Sequence, residues 1–287
     1  MPCPEHSRER GVTLIEMVIV IAITAIIAGA VSVFISRPVE GYADAARRAE
    51  MSDIADTALR RMTRDLRTAL ANSIRITCVP SCGAAGSVYY LEYLQSSGGG
   101  RYRAEKDSGG LGDILDFTLL PGDSSFDVIG TMPALAAGDS IVIYNLASSG
   151  TTANAYVGDN RALVNVGAST ATTIALNAAT HFPFSSPGKR FNVVQYAVTY
   201  ACSPLATGGT GELRRYWGYG IVDPQPTPPA GGSNALLATN VAACSFTYAN
   251  TGAAQRTGVV MLSLQIQESG SNDSIQLFQQ VHVTNVP

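Results

Sequence analysis

The sequence predicts an α+β protein: one long N-terminal α-helix, its first half able to cross a membrane, packed on a C-terminal antiparallel β-sheet domain. Three observations carry this. Residues 12–34 are nearly unbroken apolar or small side chains. Residues 39–74 repeat apolar side chains at three- and four-residue spacing, the period of an amphipathic helix. Beyond them, short runs alternate apolar and polar residues between Gly-, Ser- and Pro-rich stretches, the pattern of half-buried strands joined by turns. The boundaries that follow are 1–11 (a polar leader), 12–35 (the spanning helix), 36–75 (its amphipathic continuation) and 76–287 (a β-rich globular domain).

The leader, MPCPEHSRERG, carries Arg8 and Arg10. Positive charge before a span favours a cytoplasmic N-terminus, with everything after Phe34 on the other side. The 23 positions of residues 12–34 make a helix of about 34 Å, against a hydrocarbon core of roughly 30 Å. A cleaved secretory signal has a shorter apolar region and a small-residue cleavage site after it. Only Ala28-Gly29-Ala30 imitates such a site. Hydropathy alone therefore reads as an anchor helix.

Glu16 does not fit a plain anchor. A carboxylate at the centre of a membrane helix costs roughly 2.5–3.5 kcal/mol, and less near the interface. It becomes sensible if a positive partner reaches it. Cleavage after Gly11 would create one, a new α-amine on Val12. The carboxylate of one subunit could then meet the amine of its neighbour, in a surround of low dielectric that strengthens the pair.

After the span, Pro38 predicts a kink or break in the helix. Ile54, Ala58, Leu59, Met62, Leu66, Ala69 and Leu70 form the apolar stripe of the amphipathic half, and Arg60, Arg61, Arg64 and Arg67 lie mostly off it. Eight Arg face six acidic residues between Arg37 and Arg75, whereas nine basic residues face thirteen acidic ones from residue 76 on. A solvated helix face explains the Arg cluster; contact with acidic neighbours is its functional alternative. The total of -3 gives no support for a nucleic-acid protein.

Candidate strands are 88–94, 114–119, 140–146, 191–202, 213–219, 244–248, 259–268 and 275–283. The last two are joined by Ser269-Gly270-Ser271-Asn272-Asp273, a hairpin loop. The stretches 96–112, 147–160 and 224–232 read as surface loops. Four of the five Cys (Cys78, Cys82, Cys202, Cys244) follow the span, an even set that suggests disulfides in an oxidising compartment. The short Cys78–Cys82 spacing and the strand positions of Cys202 and Cys244 suggest those two pairs, although four Cys allow three connectivities. Zinc is the other use of such thiols, but only His181 and His282 accompany them, without paired short spacing.

Catalytic signatures are missing from the sequence. There is no G-x-S-x-G elbow and no P-loop. Gly218-Tyr219-Gly220 has no third Gly at dinucleotide spacing, and neither His181 nor His282 has an evident nucleophile nearby. Asp and Gly in loops, as at Gly138-Asp139 and Asn272-Asp273, lack EF-hand spacing and read as loop polarity. The reading is of a non-enzyme without a cofactor or metal.

Gly11-Val12-Thr13-Leu14-Ile15-Glu16 resembles the processing motif of type IV pilins and type II secretion pseudopilins. In that family a prepilin peptidase cuts after the Gly on the cytoplasmic side and methylates the new N-terminus, and the Glu fifth in the mature chain guides docking. The resemblance makes Gly11 the last leader residue, Val12 the methylated terminus and Glu16 the docking carboxylate. Val12 departs from the Phe usual there. Ser36-Arg37-Pro38-Val39-Glu40-Gly41-Tyr42, the segments around Arg60 and Arg64, and the ending Gln280-Val281-His282-Val283-Thr284-Asn285-Val286-Pro287 are similar to minor pilins of the mannose-sensitive haemagglutinin (MSHA) class. What this implies is a single-pass inner-membrane precursor that moves into a cell-surface pilus. Its partners would be other major and minor pilins, the prepilin peptidase and an inner-membrane assembly platform. The alternatives are a type II secretion pseudopilin, or a tip adhesin or DNA-capturing module using Arg101, Arg103 and Lys106.

Overall fold

The computed structural model describes residues 11–205, 211–249 and 257–287. Its elements in chain order are α1 (Leu14–Leu66), β1 (Arg75–Val79), β2 (Val88–Tyr102), β3 (Asp123–Ile129), β4 (Ser140–Ile143), β5 (Arg161–Leu163), β6 (Thr173–Thr180), β7 (Arg190–Ser203), β8 (Glu212–Tyr219), β9 (Ser233–Thr239), β10 (Val241–Ala249), β11 (Thr257–Gln267) and β12 (Ser274–Thr284). A long N-terminal apolar helix followed by antiparallel sheets is the α+β arrangement expected. The chain separates into two compact units, Met1–Glu50 and Met51–Pro287.

In the first unit every side chain from residue 11 to residue 35 is exposed in the isolated chain. Apolar all round, this part of α1 has no core of its own and needs lipid or neighbouring helices about it. Thr24 is satisfied within the helix, its hydroxyl donating to the Val20 carbonyl at 2.7 Å, as a polar group at membrane depth must be. Pro38 lies inside α1 and does not break it, contrary to the expectation of a break there. The proline removes a single helical N–H donor.

In the second unit the buried face of α1 is Met51, Ala55, Ala58, Leu59, Met62 and Leu66. The helix then ends at Leu66, not at residue 74 or 75 as its apolar spacing suggests. The physical reason is competition from β2. The Leu70 N–H donates to the Leu94 carbonyl at 2.9 Å, and the Thr68 carbonyl accepts from Ser96 N–H at 3.0 Å. Ala69 bridges to Gln95. These backbone groups pair with the sheet in place of another helical turn. Ala69 and Leu70 keep the periodic spacing but belong to the crossing.

The larger sheet is organised by one long antiparallel pair, β2 with β7, whose register shifts around Gln95, Ser96 and Gly98. On one side of the shift β1 joins β2, while β8 and then β9 extend from β7. On the other side β3 and β6 extend from β2, and β4 and β5 from β7. The order β10-β11-β12 makes a separate three-stranded sheet. One core joins the α1 face, inward residues of the large sheet such as Tyr93, Val198 and Tyr200, and Phe246, Val260, Leu262 and Leu264 of the small sheet. A second gathers Tyr102, Phe126, Phe182 and Phe191 at the far end of β2 and β7.

Several strand expectations need correction. Residues 114–119 form no strand, and β1, β3, β5, β6 and β9 were not anticipated. The stretch 96–112 is not a surface loop throughout, because β2 continues to Tyr102. Its glycines serve close approach: a Cβ on Gly99 would stand 2.5 Å from the Phe191 carbonyl oxygen, and one on Gly100 would stand 2.8 Å from the Phe191 ring. The stretch 147–160 is a loop but not a surface one, since Ala153, Asn154, Ala155, Tyr156 and Asn160 are buried. Asn145 holds it, accepting from the Ala155 N–H at 2.9 Å and donating to the Ala71 carbonyl at 2.8 Å.

Cys78 is bonded to Cys82 just after β1. Cys202 of β7 is bonded to Cys244 of β10, so the two sheets are joined covalently.

The last turn of α1 is fixed to the sheet by a carboxylate. Asp65 is buried and meets Arg215 of β8 at 2.8 Å, the Tyr200 hydroxyl of β7 at 2.8 Å, and Arg61 one helical turn earlier at 3.1 Å. Burial, with the Asp65 charge beside it, pushes the Tyr200 phenol well above its ordinary range, so it stays a donor. A second cluster lies on the opposite face of the large sheet. Glu92 is fully buried, paired with Arg75 and accepting from the Tyr219 hydroxyl at 2.9 Å. Arg75 also reaches Asp223 at 2.8 Å and stacks over Tyr156, 3.6 Å from the ring centre. Burial raises the Glu92 carboxyl, and Arg75 and Tyr219 pull it back.

Removing one member of a buried ion pair strands the other charge, at a cost of about 3–5 kcal/mol. Asp65→Ala is therefore expected to lower the unfolding free energy of the body by that amount, measured by denaturant titration of the oxidised chain. The two disulfides should differ as their loops do. Separations of 42 and 4 residues give loop-entropy contributions of about 4 and about 2 kcal/mol. Cys202→Ala/Cys244→Ala should accordingly shift the transition further than Cys78→Ala/Cys82→Ala.

Candidate functional site

The candidate site begins at Gly11. A Cβ there would meet nothing within 4 Å, and Gly11 is exposed. Residues 1–10 of the leader, with Cys3, Arg8 and Arg10, lie outside the described residues. Val12 is 69% exposed and precedes the helix.

Thr13 caps α1. Its carbonyl accepts from Met17 N–H at 3.2 Å, the first helical bond, and its hydroxyl accepts from Glu16 N–H at 3.4 Å. Thr13-x-x-Glu16 is thus a capping-box spacing, with the acid three positions into the helix. The Glu16 carboxylate lies 3.5 Å from the Thr13 hydroxyl and near the positive end of the helix dipole, where an anion is favoured. Sequence reasoning missed this local role. The signal was available, since Ser or Thr three residues before an acid, ahead of an apolar run, marks a helix start.

The cap accounts for a carboxylate at the edge of the apolar helix, but it leaves acceptor capacity unused. A carboxylate can accept several hydrogen bonds, and the Thr13 contact takes up little of that. What remains can receive a cation from outside the chain. Gly11 and Val12 immediately precede the helix, and Glu16 lies in its first turn.

A family model described as the prokaryotic N-terminal methylation motif matches residues 6–32. That match supports a type IV pilin-like protein. The motif implies processing by a prepilin peptidase and assembly with other pilins, and it suggests a structural subunit in place of an enzyme. Together with the apolar helix, it fits anchoring in a membrane before assembly. No curated protein and no solved structure matches the chain.

Other sequence candidates are scattered over the chain. His282 is exposed on β12 beside Gln280, and His181 follows β6. Arg101, Arg103 and Lys106 do not share one loop. Arg101 lies in β2, while Arg103 is spent on Asp127 at 3.2 Å. Among the described residues no group of three or more His, Cys, Asp or Glu is placed to hold a metal.

If Thr13 caps the helix, Thr13→Val should lower the helicity of the first turns by an amount worth about 1 kcal/mol. Circular dichroism and amide exchange of the full chain in detergent would read this. Thr13→Ser should leave the signal unchanged.

Proposed function

We propose that this chain is a minor subunit of a type IV pilus of the MSHA class, acting in pilus initiation or at the tip. The observation that carries the reading is the order of parts around one turn: an open glycine, an apolar residue that becomes the new terminus, and a carboxylate at the fifth mature position. Cleavage after Gly11 frees an amine on Val12, which is then methylated. Inside a filament the amine of one subunit sits in the helical core beside Glu16 of a neighbour. Both charges are costly there alone and are mutually satisfied together. The largely apolar helix surface from Leu14 to Ile35 supplies that core by packing against its copies.

The finer identity rests on residue similarity at both ends of the chain, from Ser36 to Tyr42 and from Gln280 to Pro287, to the O-type biogenesis subunit of the MSHA pilus. The Cys202–Cys244 bond suits a domain exposed outside the cytoplasm. A type II secretion pseudopilin is the second reading, since it uses the same N-terminal motif. Genes for a secretin with secreted substrates, or for a set of pilins, separate the two.

Intact mass and N-terminal sequencing of sheared surface filaments test the proposal. The expected chain begins at methylated Val12, whereas a chain beginning at Met1 and confined to the membrane would end the reading. Gly11→Val should trap the precursor in the membrane. Glu16→Ala should be cut normally and keep both disulfides, yet be depleted from filaments at least about tenfold, the factor expected from loss of a buried charge partner worth a few kcal/mol. Unchanged incorporation of Glu16→Ala would remove the docking role.

A further inference from the structure

β12 is an edge strand with none of the usual protection. Among the described residues it pairs with β11 alone. It runs from Ser274 to Thr284 in unbroken register, without a bulge. Its sequence, SIQLFQQVHVT, contains no proline, lysine, arginine or carboxylate. Soluble proteins commonly blunt such an edge with charge, proline, a bulge or shortness, because its free N–H and C=O groups template another strand. Phe278, on the outer face, is 73% exposed.

The other face of the same edge is cationic. Gln279 lies opposite Leu262 in the register and so points to the helix side of the sheet. There it borders a groove with Asp56, Arg60, Thr63 and Arg64 of α1 and with Arg67 just after the helix. Arg60 is paired with Asp56 at 2.6 Å. Arg64 and Arg67 are exposed, with no carboxylate partner among the described residues. A strand added to β12 would turn every second side chain toward these two guanidinium groups.

The geometry points to β12 as the docking edge for an extended acidic segment of a neighbouring polypeptide. That segment adds to the small sheet by main-chain hydrogen bonds and sets alternate carboxylates against Arg64 and Arg67. Backbone pairing supplies affinity and the alternating charges supply register, as in other strand-addition complexes. The inference rests on the subunit reading for the neighbour being another subunit. The surface itself belongs wholly to the Met51–Pro287 unit and does not depend on cleavage after Gly11.

The test uses the full chain in detergent and a fluorescent peptide alternating glutamate with valine, with binding read by anisotropy. Binding is expected to weaken at high salt and to fall at least about tenfold in Arg64→Glu/Arg67→Glu, as like charges replace opposite ones. It should be lost when alternate peptide amides are N-methylated, a control that leaves the protein untouched. No binding at millimolar peptide, equal binding of the lysine–valine peptide, or equal binding of the N-methylated peptide would each overturn the proposal. So would tighter binding of duplex DNA than of the acidic peptide, which would assign the arginines to phosphate. A failure here alongside a chain beginning at methylated Val12 would remove the edge and keep the subunit. Binding by a chain that begins at Met1 would do the reverse.

Discussion

The Asp65 carboxylate is the constraint around which the globular unit is arranged. From the last turn of α1 it reaches Arg61 of the same helix, Tyr200 of the central strand β7 and Arg215 of its neighbour β8. A charge so deeply placed is tolerable only because two guanidinium groups and a phenol surround it. That requirement fixes the rotation of the helix about its axis, and the rotation decides which side chains face the sheets. Ala58, Leu59 and Met62 turn inward as a result, and Arg60, Arg64 and Arg67 turn out. Such a network contributes less to net stability than to uniqueness, since apolar residues of similar volume could fill the same space. Here the specificity concerns the position of the helix on its sheets.

Under the proposed docking role, Glu16 would satisfy local and intermolecular demands together. At capping-box spacing from Thr13 it helps start the helix, and as a partly satisfied carboxylate at the edge of an apolar surface it would receive the amine of a neighbour. The two roles are compatible because the cap uses a hydroxyl and the dipole, which leave an oxygen free. A glutamine there would keep the hydrogen-bonding part and forfeit the charge, whereas a lysine would forfeit both.

The sequence revealed most where a single period ran for many residues. The helix from Leu14 onward, the β11–β12 hairpin, the first half of β2 and most of β7 were legible, because apolar residues run or alternate through each without interruption. It failed where tertiary partners overrode local pattern. Ala69 and Leu70 continue the helical spacing, yet their backbone groups find partners on β2. Gly99 and Gly100 look like part of a flexible loop, but Phe191 lies across them and leaves no room for a side chain. Tyr156 and Asn160 sit in a Gly- and Ser-rich stretch whose composition suggests exposure, and a hydrogen-bonded asparagine folds it inward. At the candidate site the roles of Gly11, Val12 and Glu16 come from the resemblance of their spacing to a processing motif, whereas the capping role of Thr13 is a property of the helix start. The edge of β12 and its facing arginines come from segments far apart in the chain, and no local pattern connects them.

The bond between Cys202 and Cys244 also has a mechanical meaning. A subunit held by its helix in a surface fibre experiences tension, and a pulled domain yields by paying out chain. The disulfide withholds the 42-residue segment between its ends, which would otherwise extend by about 140 Å. It also makes β10 move with β7, so the small sheet cannot peel from the large one strand by strand. Force reaching the body would therefore leave the chain between Cys202 and Cys244 out of whatever length the domain could release.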